Sequence, residues 1–263
     1  MEAEPINEAL VRRAVEAHGL DFHYLAETGS TNADALAHQA STGRDVVAFS
    51  EAQSAGRGRR GRQWLSPFAR NIYCTIGISK DIPAARQGLL SIATGIALCR
   101  TLRQATGLQL QLKWPNDLLL DGHKLGGILI ESRTLCAGRF FFAVGFGLNL
   151  VMSDDELASL DRPATSIGRN FAGALDRSAL LVATIDAVVA AIRDFRSDAV
   201  AQLMSEFAGL DAYRDANVEV VNGGQRISGI NRGIDASGQL RLETAQGIEL
   251  HSAAEISLRA AGR

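Results

Sequence analysis

The sequence contains few cysteines and no long apolar segment. Its 263 residues include three cysteines, Cys74, Cys99 and Cys136, which lie far apart and have no cysteine or histidine neighbour at metal-ligand spacing. This pattern argues against a disulfide-stapled fold or a protein metal site and indicates free thiols in a reducing compartment. No apolar run approaches the roughly 18 residues that span a bilayer, and the first residues lack the apolar core of a signal peptide. We therefore expect a cytoplasmic protein without membrane contact.

The common motifs for nucleotide binding and covalent catalysis are also absent. The sequence has no G-x-x-x-x-G-K-[ST] loop, no G-x-S-x-G motif and no Rossmann continuation after Gly56–Gly58 or Gly145–Gly147. The 27 basic and 29 acidic residues nearly balance, which argues against a surface that binds nucleic acid throughout. These absences leave a reaction that brings anions together and uses no protein side chain as the nucleophile.

Lysine is scarce, since three of the 27 basic residues are lysines and the other 24 are arginines. Two of the three open the segments Lys113–Asp117 (KWPND) and Lys124–Leu129 (KLGGIL), eleven residues apart. A compact ammonium often acts as a point charge at a phosphate. The glycines of the second segment let a ligand approach the backbone closely. Two ordinary surface lysines are the alternative interpretation.

The densest positive charge lies in the arginine segment, Gly56–Arg62 (GRGRRGR), which holds four arginines and three glycines. Guanidinium groups that repel one another on a glycine backbone are expected to become ordered around an anion. The segment is therefore interpreted as a mobile flap over a multiply charged ligand such as a triphosphate. A solvated basic loop and an RNA-contacting patch are the alternatives.

The apolar pattern predicts an α+β fold in two domains. Residues 1–210 combine the strands of a mixed, mostly antiparallel sheet with flanking helices, among them Ala84–Thr106 and the stretch Ser178–Phe207. After Leu210, short alternating strands are separated by turn residues such as Asn222-Gly223. Residues 211–263 are accordingly predicted to form a small SH3-like β-barrel.

An ordered set of motifs resembles those of the biotin protein ligases. The motifs are Ser30-Thr31-Asn32, Gly56–Arg62 followed by Trp64, Lys113–Asp117, Lys124–Leu129, Gly145–Asn149 and Glu255–Arg259. The resemblance covers the chain from about Phe22 to Arg259. It implies a class II synthetase-like catalytic fold in which biotin and ATP, with Mg²⁺, form biotinyl-5′-adenylate and pyrophosphate. Biotin then passes to one lysine of a biotin carboxyl carrier protein domain. Monomer and homodimer are both left open.

The same resemblance implies roles for individual residues. Those expected to bind biotin are Ser30, Thr31, Asn32, Gln53, Arg57, Gly58, Arg59, Lys124, Gly127 and Ile128. Those expected to bind ATP or the adenylate are Arg57, Arg59, Arg60, Trp64, Asn116, Lys124, Asn149, Glu255 and Arg259. Those expected to act in catalysis are Lys124, Arg59, Lys113 and Asp117.

Some of these roles are more specific, and some have alternatives. Lys124 is expected to bridge the biotin carboxylate and the α-phosphate, and Arg59 to retain the reactive adenylate. Asp117 is expected to orient either the acceptor amine or a water of Mg²⁺. Ser30 is alternatively a plain helix N-cap. Glu255 and Arg259 are alternatively an interdomain ion pair.

Two features depart from the family pattern, and two rival functions remain. About 20 residues precede the first predicted strand, too few for the DNA-binding domain of many family members, so we expect no DNA binding. Residues 152–170, where the family closes a loop over adenine, contain no aromatic residue, and the adenine contacts stay unassigned. The nearest alternative function is a lipoate-type protein ligase. The alternative from another class is a nucleic-acid-binding regulator.

Overall fold

The computed structural model describes residues 5–136, 139–196, 199–222, 225–252 and 256–260. The helices are α1 (Glu8–Ala17), α2 (Thr31–Thr42), α3 (Gly88–Thr106), α4 (Asp154–Ala158), α5 (Ile167–Asn170), α6 (Arg177–Arg193) and α7 (Val200–Ala208). The strands are β1 (Asp21–Leu25), β2 (Val46–Ser50), β3 (Ile72–Lys80), β4 (Leu110–Lys113), β5 (Asp117–Leu120), β6 (His123–Thr134), β7 (Phe140–Leu148), β8 (Asn217–Asn222), β9 (Gln225–Ile234), β10 (Leu240–Thr244), β11 (Gly247–His251) and β12 (Ile256–Ala260). Within these ranges, no helix is both long and apolar enough to cross a membrane.

Seven strands form the main sheet, in the order β1-β2-β3-β7-β6-β5-β4. β1 and β2 pair in parallel, and every other neighbouring pair is antiparallel. The predicted mixed, mostly antiparallel sheet is therefore confirmed. The register of β6 and β7 places Gly127 opposite Gly147 at the end of the sheet where the candidate site lies.

Helices cover both faces of the main sheet. In β2 all five residues are buried, and successive side chains point to opposite faces. Val47 and Phe49 belong to the large core that also contains residues of α1, α3 and α6. Val46 and Ala48 pack with Ala35 of α2 in a smaller cluster on the other face. This double coverage confirms the predicted flanking helices, and the stretch expected over Ser178–Phe207 comprises α6 and α7.

The last five strands form a second antiparallel sheet, in the order β11-β10-β9-β8-β12, consistent with the predicted small SH3-like domain. The Trp114 indole N–H donates to the Gly238 carbonyl at 3.0 Å and links the two sheets. Leu112 of β4 also exchanges backbone hydrogen bonds with Leu210 and Ala212. The division of the chain near residue 210 stays a prediction.

A buried carboxylate connects the N-terminal segment, β1, β2 and α6. Glu51 follows β2 and is fully buried. Its oxygens accept hydrogen bonds from the Ile6 amide at 2.8 Å, the Tyr24 hydroxyl at 3.1 Å and the Arg177 guanidinium at 2.5 Å. A buried charge is tolerated when it is paired and hydrogen-bonded in this way. The network holds the backbone two residues before Gln53, which lines the candidate site.

We expect Glu51→Ala to lower the free energy of unfolding by about 3–5 kcal/mol, because it leaves the Arg177 guanidinium without its buried carboxylate. Urea denaturation followed by circular dichroism measures this loss. Glu8→Ala is the matched control, since Glu8 pairs with Arg12 at the surface and should contribute under about 0.5 kcal/mol. Equal losses in the two variants would contradict the importance of the buried pair.

Candidate functional site

A cavity of about 580 Å³ opens at the glycine-rich end of β6 and β7, a volume typical of sites for small molecules. Sixteen residues predicted from the sequence lie together in its lining. They are Ser30, Thr31, Asn32, Gln53, Arg57, Gly58, Arg59, Arg60, Trp64, Lys113, Asn116, Asp117, Lys124, Gly127, Ile128 and Asn149. Of the other two, Glu255 lies outside the described residues, and Arg259 belongs to β12, whose side chains are likewise outside them.

Glycines allow an aromatic ring to lie directly against the sheet. A Cβ atom at Gly147 would lie 2.5 Å from Cε2 of Trp64, and one at Gly127 would lie 3.4 Å from Cζ3 of the same ring. A larger residue at Gly147 would therefore displace the indole. The indole N–H is buried and has no hydrogen-bond partner in the described part of the chain. The glycines and Trp64 thus form an apolar surface with one unused donor.

The start of α2 contributes polar groups to the cavity. Ser30 occupies the N-cap position, but its side chain makes no capping hydrogen bond, so capping alone does not account for its hydroxyl. The amide and hydroxyl of Thr31 both donate to Oε1 of Gln53, at 3.0 and 3.3 Å. Nε2 of Gln53 donates to the Ser66 hydroxyl at 3.2 Å. Gln53 is therefore held from both ends of its amide.

The Asn32 side chain is engaged by protein groups. Its Nδ2 donates to the Leu129 carbonyl at 3.1 Å and to the Glu131 carboxylate at 2.8 Å, and its Oδ1 accepts from the Thr75 hydroxyl at 2.7 Å. Both amide protons are thus in use, which suits a residue that positions α2 against the sheet. Thr75 and Glu131 were not predicted as site residues, because a threonine and a glutamate within strands belong to no local motif.

The arginine segment makes hydrogen bonds within itself and with neighbouring parts of the fold, and its interpretation as a flap over an anion stays a prediction. Gly58 donates its backbone N–H to the Arg62 carbonyl at 2.7 Å, and Trp64 donates its backbone N–H to the Gly56 carbonyl at 2.8 Å. Arg57 pairs with Glu131 at 3.0 Å, and Arg59 donates to Oδ1 of Asn116 at 3.2 Å. Two of the four arginines of the segment thus contact acceptors on the protein.

Lys124 and Asp117 form a close ion pair in the cavity. Nζ of Lys124 lies 2.5 Å from Oδ1 of Asp117, and each side chain is 13% exposed. The same Nζ lies 5.3 Å from the centre of the Trp64 ring. Burial lowers the pKa of Lys124, and the Asp117 carboxylate opposes this shift. Asp117 therefore favours the charged ammonium in a site that would otherwise disfavour it.

Arg59 brings a second, partly buried cation to the cavity. Its Nη2 is buried and has no hydrogen-bond partner among the residues that the structure describes. Burial lowers the pKa of Arg59 and Asp117 opposes the shift, but a guanidinium stays protonated in proteins. An unpaired buried donor is costly, so this group is suited to an acceptor on a ligand. Asn116, which accepts from Arg59, is itself held by donating to the Ile128 carbonyl at 2.7 Å.

Two further predicted residues contact protein groups at the cavity. Nζ of Lys113 lies 5.7 Å from the centre of the Tyr213 ring. Nδ2 of Asn149 donates to the Thr165 carbonyl at 3.1 Å, so this amide holds the chain that follows α4. Lys113 therefore lies towards the segment that leads from α7 to β8, and Asn149 has a positioning role besides any contact with a ligand.

The 160–165 segment forms part of the cavity and was not assigned from the sequence. Lys124 donates its backbone N–H to the Pro163 carbonyl at 3.0 Å, and Thr165 donates its own to the Lys124 carbonyl at 2.9 Å. This pairing brings Asp161 and Arg162 into the lining. Other lining residues that the sequence analysis missed are Arg62, Leu65, Pro115, Met152 and Tyr213. Arg62 and Pro115 lie within motifs found in the sequence but received no role there, whereas Leu65, Met152 and Tyr213 belong to no motif and reach the cavity through the tertiary fold.

Comparison with known proteins finds relatives along most of the chain. Residues 25–149 match the biotin/lipoate A/B protein ligase family, and residues 216–259 match the biotin protein ligase C-terminal domain. The biotin–acetyl-CoA-carboxylase ligase of Mycobacterium tuberculosis is 34% identical over 96% of this chain and 95% of that protein. The ligase of the same name from Paracoccus denitrificans is 33% identical over 88% of this chain and 98% of that protein.

Other matches cover less of the relative or show the fold alone. The bifunctional ligase/repressor BirA of Escherichia coli is 36% identical over 81% of this chain, which spans 66% of the length of that relative. Among solved structures, a biotin protein ligase from Aquifex aeolicus in complex with biotin and ATP matches with a TM-score of 0.76. The match covers 92% of this chain and 99% of that one at 23% identity, and it shows a shared fold.

We expect Gly147→Ala to displace the Trp64 indole, because the added methyl group would lie 2.5 Å from a ring carbon. Acrylamide should then quench tryptophan fluorescence more strongly, and this increase should be missing in a Trp64→Phe background. Trp114 is 1% exposed and should contribute little to the change. Gly29→Ala is the control, since a Cβ atom there meets nothing within 4 Å. Unchanged quenching in Gly147→Ala would contradict the packing of the indole on this glycine.

Proposed function

The chain belongs to the biotin protein ligase family, and we propose that it uses ATP to attach biotin to a protein lysine. In the first step, a carboxylate oxygen of biotin attacks the α-phosphorus of ATP. The bond from that phosphorus to the β-phosphate breaks, and biotinyl-5′-adenylate and pyrophosphate form. In the second step, the acceptor amine attacks the acyl carbon, AMP leaves and the amine loses a proton. The proposed acceptor is a biotin carboxyl carrier protein domain in the cytoplasm, where ATP is available.

The observation that carries this proposal is a pair of partly buried cations, Lys124 and Arg59, beside an apolar surface made of glycines and Trp64. A carboxylate and a triphosphate repel each other, so their reaction needs fixed positive charge at the point of contact. Lys124 supplies a compact ammonium there, and Arg59 supplies an unused N–H donor. The nucleophile of each step comes from a substrate, which agrees with a site assembled around charge. Holding both reactants in one cavity supplies much of the remaining acceleration.

The family resemblance supplies proposed roles for the other lining residues. Ser30 and the Thr31–Gln53 group offer hydrogen bonds to the polar ureido ring of biotin, and Trp64 covers its apolar part. Arg59 retains the adenylate until an acceptor arrives. The further proposed contacts with biotin are Asn32, Arg57, Gly58, Gly127 and Ile128. Those with the nucleotide are Arg57, Arg60, Asn116 and Asn149, with Glu255 and Arg259 expected from the sequence alone, and Lys113 keeps its proposed part in catalysis.

A magnesium ion would enter this site with ATP. Within the described residues, no three histidine, cysteine or carboxylate side chains are grouped to hold a metal by themselves. Asp117 and Asp161 are the carboxylates of the cavity lining, and Mg²⁺ commonly takes one or two carboxylates together with substrate phosphates. This donor set fits such an ion, which when bound would offset phosphate charge. The orienting of the acceptor amine remains the other proposed role of Asp117.

The test of this function is exchange of labelled pyrophosphate into ATP, with biotin or lipoate added separately. We expect exchange with biotin, and Lys124→Ala should lower it at least about 100-fold because two anions are left unshielded. Lys80→Ala is the matched control, since Lys80 donates to the Ile192 carbonyl away from the cavity. Exchange driven by lipoate alone would overturn the assignment of biotin. Near-normal exchange in Lys124→Ala would overturn the proposed role of Lys124.

We expect Asp117→Asn to move the alkaline limb of the pyrophosphate exchange profile to lower pH. Lys124 acts as a cation, so activity is present below its pKa and is lost as the pH rises through it. The Asp117 carboxylate raises the pKa of Lys124 against the effect of burial, and its removal therefore lowers that pKa further. Asp121→Asn changes a carboxylate of the same hairpin that does not line the cavity and should leave the limb in place. An unmoved limb in Asp117→Asn would contradict this coupling.

A further inference from the structure

Arg162 is a third cation beside Asp117. Its Nη1 lies 3.8 Å from Oδ2 of Asp117, whereas Lys124 approaches Oδ1 of the same carboxylate. The second partner of Arg162 is its chain neighbour Asp161, at 3.2 Å, whose side chain is 75% exposed. Ion pairs that are this long or this exposed are weak, typically within about 1 kcal/mol. Arg162 therefore loses little when it turns to another anion.

The charge balance of the cavity favours a multiply charged anion. In the lining that the structure describes there are seven basic side chains and two carboxylates. The basic residues are Arg57, Arg59, Arg60, Arg62, Lys113, Lys124 and Arg162, and the carboxylates are Asp117 and Asp161. A cavity lined mostly by one sign of charge attracts the opposite sign. Biotin brings one negative charge, so most of the excess is matched by the phosphates of a nucleotide.

The backbone holds Arg162 at a defined place relative to Lys124. Pro163 and Thr165 both hydrogen-bond to the Lys124 backbone, and Ala164 forms a parallel bridge with the same residue. The Asn149 amide further holds the Thr165 carbonyl. Arg162 immediately precedes this anchored stretch. The backbone of Arg162 is therefore held next to the start of β6.

We propose that Arg162 binds the two phosphates of ATP that leave as pyrophosphate, an inference that rests on the proposed function. Lys124 lies beside Trp64 and the glycines, where biotin is proposed to bind, and Arg162 approaches the other oxygen of Asp117. A phosphate chain whose α-phosphate lies at Lys124 extends towards Arg162. When the α-phosphorus–oxygen bond breaks, its electron pair stays on the departing pyrophosphate. The planar guanidinium suits two phosphate oxygens at once and stabilises that charge.

The experiment compares Arg162→Gln, Arg162→Lys and the control Arg169→Gln. Arg169 lies in the nearby α5, pairs with Asp154 and does not line the cavity. Three quantities are measured for each protein. They are the binding of inorganic pyrophosphate by calorimetry, the KM values for ATP and biotin in pyrophosphate exchange, and the rate of transfer from supplied biotinyl-5′-adenylate to a carrier domain.

We expect Arg162→Gln to weaken pyrophosphate binding and to raise the KM for ATP by about tenfold or more, as for a lost charge-assisted hydrogen bond. The KM for biotin and the transfer rate should stay within about twofold, because neither involves the departing phosphates. Arg162→Lys keeps the charge and should lie between this variant and the unchanged protein. Arg169→Gln should match the unchanged protein.

The proposal is overturned if Arg162→Gln binds pyrophosphate and ATP as the unchanged protein does. It is also overturned if both reaction steps weaken equally, since that result indicates a structural role. Should Arg162→Gln fail to fold, Arg162→Lys decides by its pyrophosphate binding and ATP KM, and unchanged values would refute the contact. Failure of the proposed function would give a different result, since the unchanged protein would then show no biotin-dependent exchange. The comparison of pyrophosphate binding between the unchanged protein and Arg162→Gln would still test the role of Arg162.

Discussion

The ion pair between Lys124 and Asp117 is the contact on which the proposed chemistry of the cavity depends. A buried ammonium tends to lose its proton, and a site that joins two anions needs that proton to stay. Asp117 raises the pKa of both Lys124 and Arg59 against the effect of burial, and its Oδ2 lies 3.8 Å from Nη1 of Arg162. The Asp117 carboxylate thus offsets part of the repulsion among Lys124, Arg59 and Arg162. Because the cations outnumber it, the cavity keeps an excess of positive charge for its substrates.

The apolar part of the site depends on strand register. Gly127 and Gly147 face each other across β6 and β7, and Trp64 packs on both. A shift of one residue in that pairing would exchange the faces of the strands and bring bulky side chains such as Ile128 towards the indole. The pairing of β6 with β7 extends over nine positions, from Gly126 opposite Leu148 to Thr134 opposite Phe140, and holds the register. The main core therefore determines the shape of the surface proposed to receive biotin.

Several polar residues at the cavity are engaged mainly by the protein. The amides of Asn32, Asn116 and Asn149 each donate to a backbone carbonyl, on β6 for the first two and on the 160–165 segment for the third. An amide whose protons are used in this way holds the neighbouring segments in defined positions. Asn116 also accepts from Arg59, so the same residue orients a cation. These asparagines link the sheet, the arginine segment and the 160–165 segment into one framework.

The sequence by itself determined the fold class, the family and the main charged residues of the site. These features follow from local patterns, such as alternating strands, the arginine segment, and two scarce lysines beside tryptophan or glycine. Only the tertiary structure decided which polar atoms are already in use and which are left for a ligand. Thr75 and Glu131 engage Asn32, and Arg162 reaches Asp117, through pairings between distant parts of the chain. The physical reason is that hydrogen bonds and ion pairs depend on where side chains meet in space, and residue type alone does not specify the partner.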